Sequence, residues 1–181
     1  LTPPTFDNRE SILGNGEQRS AGNAADNPYW RINNNPFNDE TNRFTGKFSI
    51  GYYPLNKLSL DYHLNGDYMD SESKTALNTG SVYYPTGHVM NRNEKFKSLL
   101  SRFSAEYNYQ WRYFRLGSTI GHEYTISERN IDRQDGYHLS QAGDYNVQHT
   151  DSIVPYKRTY ERHSNSIFGR ISLSYDNMAT I

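Results

Sequence analysis

The chain has 181 residues, 34% hydrophobic and 14% aromatic, with 16 tyrosines, no cysteine and a formal charge of −1. Nineteen basic residues against 20 acidic ones leave no basic footprint for nucleic acid, and the lack of cysteine excludes disulfides, thiolate nucleophiles and Cys-type metal sites. The chain is too polar for an ordinary soluble core, too aromatic for a disordered segment, and lacks any apolar run long enough for a transmembrane helix.

The first 41 residues carry no alternation and read as an external loop. No signal segment opens at Leu1, so an export signal is expected outside this sequence. From residue 42 the period becomes two: Asn42, Phe44, Gly46, Phe48, Ile50 and Tyr52 alternate with Arg43, Thr45, Lys47, Ser49, Gly51 and Tyr53. This is the periodicity of a strand with one greasy face. Pro54, Leu55, Asn56 and Lys57 make a turn by composition. A second run follows, with Leu58, Leu60, Tyr62, Leu64, Gly66 and Tyr68 against Ser59, Asp61, His63, Asn65 and Asp67. A helix here would bury Asp61 beside Leu58 and Tyr62.

The third run sets Leu99, Ser101, Phe103, Ala105, Tyr107, Tyr109 and Trp111 against Leu100, Arg102, Ser104, Glu106, Asn108 and Gln110. The fourth sets Phe114, Leu116, Ser118, Ile120, His122, Tyr124 and Ile126 against Arg115, Gly117, Thr119, Gly121, Glu123 and Thr125. A fifth comprises Ile167, Gly169, Ile171, Leu173 and Tyr175 against Phe168, Arg170, Ser172, Ser174 and Asp176. After a turn at Asp176 and Asn177, residues 178–181 begin a sixth strand. The predicted organisation is therefore an external loop over 1–41, two hairpins over 42–126 with a loop at 70–95, an external loop over 127–164, and a strand, turn and new strand over 165–181.

Short turns alternating with long polar loops are uncommon in compact soluble domains but characterise outer-membrane barrels. Aromatics gather at the short-turn ends (Tyr52, Tyr53, Tyr107, Tyr109, Trp111, Tyr113, Phe114, Tyr175). A second set, Phe44, Tyr68, Phe96 and Tyr124, lies near the long-loop ends, with Ile50, Leu60, Phe103, Ile120 and Ile171 between. Two aromatic belts flanking an aliphatic band match a lipid-facing surface. The competing reading is a soluble β-domain with its aromatic strand ends packed inside. Five strands and a stub cannot close, and lipid does not tolerate open sheet edges. The expected fold is thus all-β, an antiparallel transmembrane β-barrel segment from a larger barrel.

Several stretches carry a family resemblance. Asn27, Pro28, Tyr29 and Trp30, followed by Asn33, Asn34, Asn35, Pro36, Phe37 and Asn38 and then Asn42, Arg43 and Phe44, resemble the entry to a mid-barrel strand in SusC/RagA-type TonB-dependent transporters. So do Gly51, Tyr52, Tyr53, Pro54 and Leu55 leading into Leu58 through Tyr62, with Gly66 and Asp67 at the far end of that strand. The run from Ser166 to Tyr175 is similar again. The likeness covers about half the chain and leaves the loops at 70–95 and 128–164 unmatched.

This resemblance implies a 22-stranded, plugged barrel in the bacterial outer membrane that imports oligosaccharides or peptides with energy from TonB. It also implies a SusD-type surface lipoprotein as partner. The plug domain and TonB box are absent from these residues. An alternative role is a SusC-like barrel serving as a structural or accessory subunit of an outer-membrane complex. A soluble secreted glycan-binding β-domain fits less well.

No enzyme is expected, and no catalytic, cofactor-binding or metal-binding residue is assigned. Asp61, His63 and Asp67 share one strand face, which suits either an acid–base cluster or a hydrated wall. No Gly-x-Ser-x-Gly elbow, His-Glu-x-x-His or P-loop accompanies them, and the wall is the favoured reading. His122 and Glu123 point to opposite faces. Asp67, Asp70, Ser71 and Glu72 offer oxygen ligands but lack the central glycine and terminal glutamate of a calcium loop; the Asn/Asp-rich stretch 33–42 is similar. Trp30, Tyr29, Tyr83, Tyr84, Tyr137 and Tyr145 fall in the predicted external loops. Their rings suit stacking on sugars, or anchoring loops to one another or to a lipoprotein lid. The substrate is not legible.

Overall fold

The computed structural model describes residues 7–20, 25–175 and 179–180. A short helix α1 (Pro28–Asn34) precedes five long strands, β1 (Phe37–Leu55), β2 (Leu58–Leu77), β3 (His88–Trp111), β4 (Phe114–Leu139) and β5 (Thr150–Tyr175), and a short β6 (Ala179–Thr180). They form one sheet in the order β1-β2-β3-β4-β5-β6. Each strand lies beside its sequence neighbour, as antiparallel meanders do. β6 pairs antiparallel with β5, Ser174 opposite Thr180 and Tyr175 opposite Ala179. The new strand expected over 178–181 is thus present at 179–180; the turn at Asp176 and Asn177 lies outside the described residues.

Two-residue turns join β1 to β2 and β3 to β4. Arg112, in the second, adopts a left-handed φ of 51°, which closes the hairpin tightly. The strands run far beyond the alternating segments. β2 continues to Leu77 and β3 starts at His88, so the loop expected at 70–95 shrinks to 78–87. β4 extends to Leu139 and β5 begins at Thr150, leaving only 140–149, with a single 3-10 turn at Val147–His149, of the loop expected at 127–164. The front segment contains a small hairpin closed by an Ile12–Gln18 bridge, α1 and the start of β1.

The extensions were illegible for a physical reason. Residues such as Ser71, Glu72, Ser73, Lys74, Arg92, Asn93 and Glu94 are polar on both faces, so hydrophobic alternation vanishes while the backbone ladder continues. Pro155 within β5 reads as a strand breaker. Among the described residues β6 pairs with β5 only at Ser174 and Tyr175, so at Pro155 β5 has a strand neighbour on the β4 side alone, the edge position where proline is tolerated in a sheet.

Contacts divide the residues into two units. The first takes in residues up to Asn42, Asp70–Glu94 and Asn130–Arg158; the second takes in Arg43–Met69, Lys95–Arg129 and residues from Thr159. In the first, Ala76, Val89, Leu139 and Val147 form a buried apolar cluster against which Tyr145 packs. Among the described residues every buried hydrophobic side chain belongs to this unit.

The second unit is organised by faces instead. Phe48, Ile50, Phe103 and Ile120 are exposed, and Ile167 and Ile171 reach 78% and 77% exposure. All lie on the faces predicted to be greasy. The opposite faces hold the polar network: Arg43 forks onto Asp67 at 2.7 and 2.9 Å, Arg102 pairs with Glu123 at 2.7 Å, and Ser49 bonds His63 at 2.9 Å. An exposed apolar face this extensive is a surface built to be covered.

Candidate functional site at the loop ends of the strands

The first unit is built around α1. Asn27 caps the helix: its Oδ1 accepts from the N–H groups of Tyr29 at 3.0 Å and Trp30 at 3.4 Å, while its Nδ2 donates to the Arg19 carbonyl. Pro28 follows at the first helical position, where its missing N–H costs nothing. This cap buries Trp30 above Gly80, whose φ of +88° brings the backbone close to the indole.

Asp26 then gathers the loop at 78–87. It accepts from Ser81 Oγ at 2.8 Å, Val82 N at 2.6 Å and Gln18 Nε2 at 2.8 Å. Asn78 Oδ1 accepts from Thr79 N and, at 3.0 Å, from Gly143 N, joining this loop to the one at 140–149. The Tyr145 hydroxyl donates to the Asn34 carbonyl at 2.6 Å. Burial pushes that phenol above its usual pKa. In the second loop, His149 beside Asp144 at 2.7 Å and the Asn146 backbone N–H hold the Asp144 carboxyl below its ordinary range.

Between the two loops His88 is clasped by two rings, stacked on Tyr84 at 4.6 Å and tilted against Tyr137 at 4.9 Å. Its Nε2 lies 3.1 Å from Asp135 Oδ1, and both side chains are about nine-tenths buried. Arg133 Nε reaches the other Asp135 oxygen at 2.8 Å. Close by in the unit is an open polar cleft of about 520 Å³ whose lining includes Asn38, Glu72, Lys74, Arg92, Asp132 and Gln134. Mixed charge on a fixed framework suits recognition of a polar ligand or partner.

The predicted aromatics separate into two roles. Tyr29 and Tyr83 stand exposed. Trp30 is buried, which removes it as a stacking platform; Tyr145 and Tyr137 serve the internal framework, and Tyr84, stacked on His88, keeps an exposed edge. His88 and Asp135 carry no motif: 47 residues separate them, and only strand pairing brings them together.

The acid–base grouping does not form. His63 turns to Ser49 and Asp67 to Arg43, while Asp61 lies against Gly51. The calcium candidates Asp67, Asp70, Ser71 and Glu72 lie on a continuous strand that alternates their side chains between faces. Among the described residues no group of three or more acidic or histidine side chains is placed to hold a metal ion.

No family model and no curated protein matches the chain. Solved structures do. One of the RagAB peptide transporter superposes with a TM-score of 0.69 at 19% identity over 83% of this chain and 17% of that one. The RagAB peptide importer in its closed-closed state gives 0.69 at 19% identity over 90% and 20%. In its open-open state it gives 0.65 at 21% identity over 83% and 17%. The chain thus spans at most a fifth of the length of these neighbours. In fold, this chain is an antiparallel β-barrel segment of the kind found in the RagAB transporter.

Proposed function

We propose that the chain forms barrel wall and extracellular loops of a TonB-dependent importer in a bacterial outer membrane, without enzymatic activity of its own. The observation that carries this reading is the second unit's two-faced sheet. Its exposed face is apolar in the middle and aromatic at the ends, and its other face is hydrogen-bonded and charged. Lipid on one side and a wet lumen on the other account for both faces. The likeness to RagAB supports the transporter class.

The cargo class is oligosaccharide or peptide, and a SusD-type surface lipoprotein is the proposed partner at the loop ends. The rim there is rigid, polar and edged by the exposed Tyr29 and Tyr83. TonB would act through a plug region. The proposed domain layout keeps the described loops at 78–87 and 140–149 on the extracellular side and the two-residue turns on the periplasmic side.

Envelope fractionation followed by uptake tests this. The protein is expected in the outer-membrane fraction, with mobility on gels that changes on heating. Uptake of labelled oligosaccharide or peptide should stop when TonB is removed. Recovery in the soluble fraction would end the membrane reading; uptake unaffected by TonB would end the importer reading alone.

A further inference from the structure

The second unit carries an apolar groove of about 540 Å³ on its greasy face. Its floor is Gly46 on β1 and Gly66 on β2, and nothing lies within 4 Å of where a Gly66 side chain would begin. Phe44 and Tyr68 wall one end, Phe48 and Leu64 the other. The Phe44 ring leans over Gly46, 3.6 Å from where a side chain there would begin, so the notch is open chiefly above Gly66.

Lys97 also lines the groove, exposed and without an ion pair to another described residue. The carboxylate on the lining, Asp67, is held in its fork with Arg43. The groove therefore presents an uncompensated positive charge beside an apolar slot. An ammonium facing lipid is costly unless it reaches the interface or meets an anion.

Its height agrees with the interface. Lys97 and the turn-end residue Trp111 lie 14 residues apart on β3. At about 3.3 Å per residue and a tilt of about 40°, that length climbs roughly 30–35 Å, matching a hydrocarbon core of about 30 Å. With the turns on the periplasmic side, Lys97 lies at headgroup level of the outer leaflet.

We infer that this groove is a binding site for the phosphorylated glycolipid of the outer leaflet, lipid A. One acyl chain lies in the notch above Gly66 and a phosphate pairs with Lys97. The inference rests on the outer-membrane reading above.

The test uses the protein purified from outer membranes in mild detergent, with bound lipids extracted and counted by mass spectrometry. Heat-dependent gel mobility reports folding. Lys97→Gln is expected to lower co-purifying lipid A at least five-fold. Gly66→Leu, which fills the notch, should do the same, with phospholipid unchanged in both. Unchanged lipid A in a folded Lys97→Gln protein would overturn the inference, as would loss of phospholipid in place of lipid A. If Gly66→Leu does not fold, Lys97→Gln decides alone. Failure of the wild-type protein to reach the outer membrane would instead remove the barrel reading and this site with it.

Discussion

The Tyr145 hydroxyl donates to the Asn34 carbonyl at 2.6 Å across 111 residues of sequence. It satisfies a carbonyl near the C-terminal end of α1, where such groups lack intrahelical partners. The same ring packs on the Ala76, Val89, Leu139 and Val147 cluster. One side chain thus links the α1 segment to the loop at 140–149.

Tyr145→Phe separates the two roles, because the ring stays and only the hydroxyl leaves. It should lower the local stability of the 140–149 loop by about 1 kcal/mol. Amide hydrogen exchange reads this directly: protection should fall in residues 140–149 and stay constant in β3. Equal protection in both proteins would show that the hydrogen bond contributes nothing.

How far the sequence anticipates such links differs between the two units. In the second, alternation alone located the strands and set Phe48, Ile50, Phe103, Ile120, Ile167 and Ile171 on the exposed face, because exposure there follows period two; Tyr53, on the opposite register, and Tyr160, in the loop expected at 127–164, are exposed as well. In the first, both faces are polar and the residues that matter meet across long sequence distances. His88 and Asp135, Asp26 and Ser81, and Asn78 and Gly143 follow from strand register and loop folding, neither of which leaves a local pattern. Trp30 illustrates the limit. Its type suggested a ligand platform, while its neighbour Asn27 carried the signal of a helix cap that buries it.

The His88–Asp135 pair yields a second prediction. Asp135→Ala removes the acceptor from a buried imidazole and the ion-pair partner from Arg133. Leaving buried donors unpaired costs about 1–3 kcal/mol. His88→Phe keeps the ring stack with Tyr84 and Tyr137 but strands the buried carboxylate, which Arg133 still reaches. Limited proteolysis of the loop at 78–87 should therefore speed up more for Asp135→Ala than for His88→Phe. The reverse order would mean that the stack, not the hydrogen bond, holds the loop.

Asp144 gives a pH prediction with a definite sign. Hydrogen bonding to His149 and to the Asn146 N–H lowers its pKa in the folded protein. A lowered carboxylate pKa contributes stability above the unfolded value, about 3.9, and that contribution is lost as pH falls through the folded value. By NMR the Asp144 carboxyl should titrate below the ordinary range, and His149→Ala should move it up. A midpoint unaffected by His149→Ala would remove His149 as the cause.

Facing predicts an asymmetry across the sheet of the second unit. Arginine at Phe48, Leu60, Phe103, Leu116 or Leu173 should cost roughly 2–4 kcal/mol near mid-bilayer. The same change at Ser49, Asp61 or Ser104 should be much milder. Gly117 and Ser172 leave that comparison, since a side chain at Gly117 would begin 2.8 Å from Ser172 Oγ. Reversible unfolding in lipid vesicles measures the difference, and equal costs on both faces would refute the orientation.

Gly121 provides the sharpest packing test. A Cβ placed there would fall 2.2 Å from the Phe168 ring, which also lies beneath the Arg102 guanidinium at 5.3 Å. Arg102 in turn pairs with Glu123, so the ring cannot shift without disturbing an ion pair. Gly121→Ala should therefore destabilise the folded state by about 1–3 kcal/mol, the usual range for overpacking. Phe168→Ala opens the space, so the double variant should be more stable than the sum of the two single losses, as neighbours coupled through one contact are. Additive losses in the unfolding free energies would show that Phe168 does not occupy the space above Gly121.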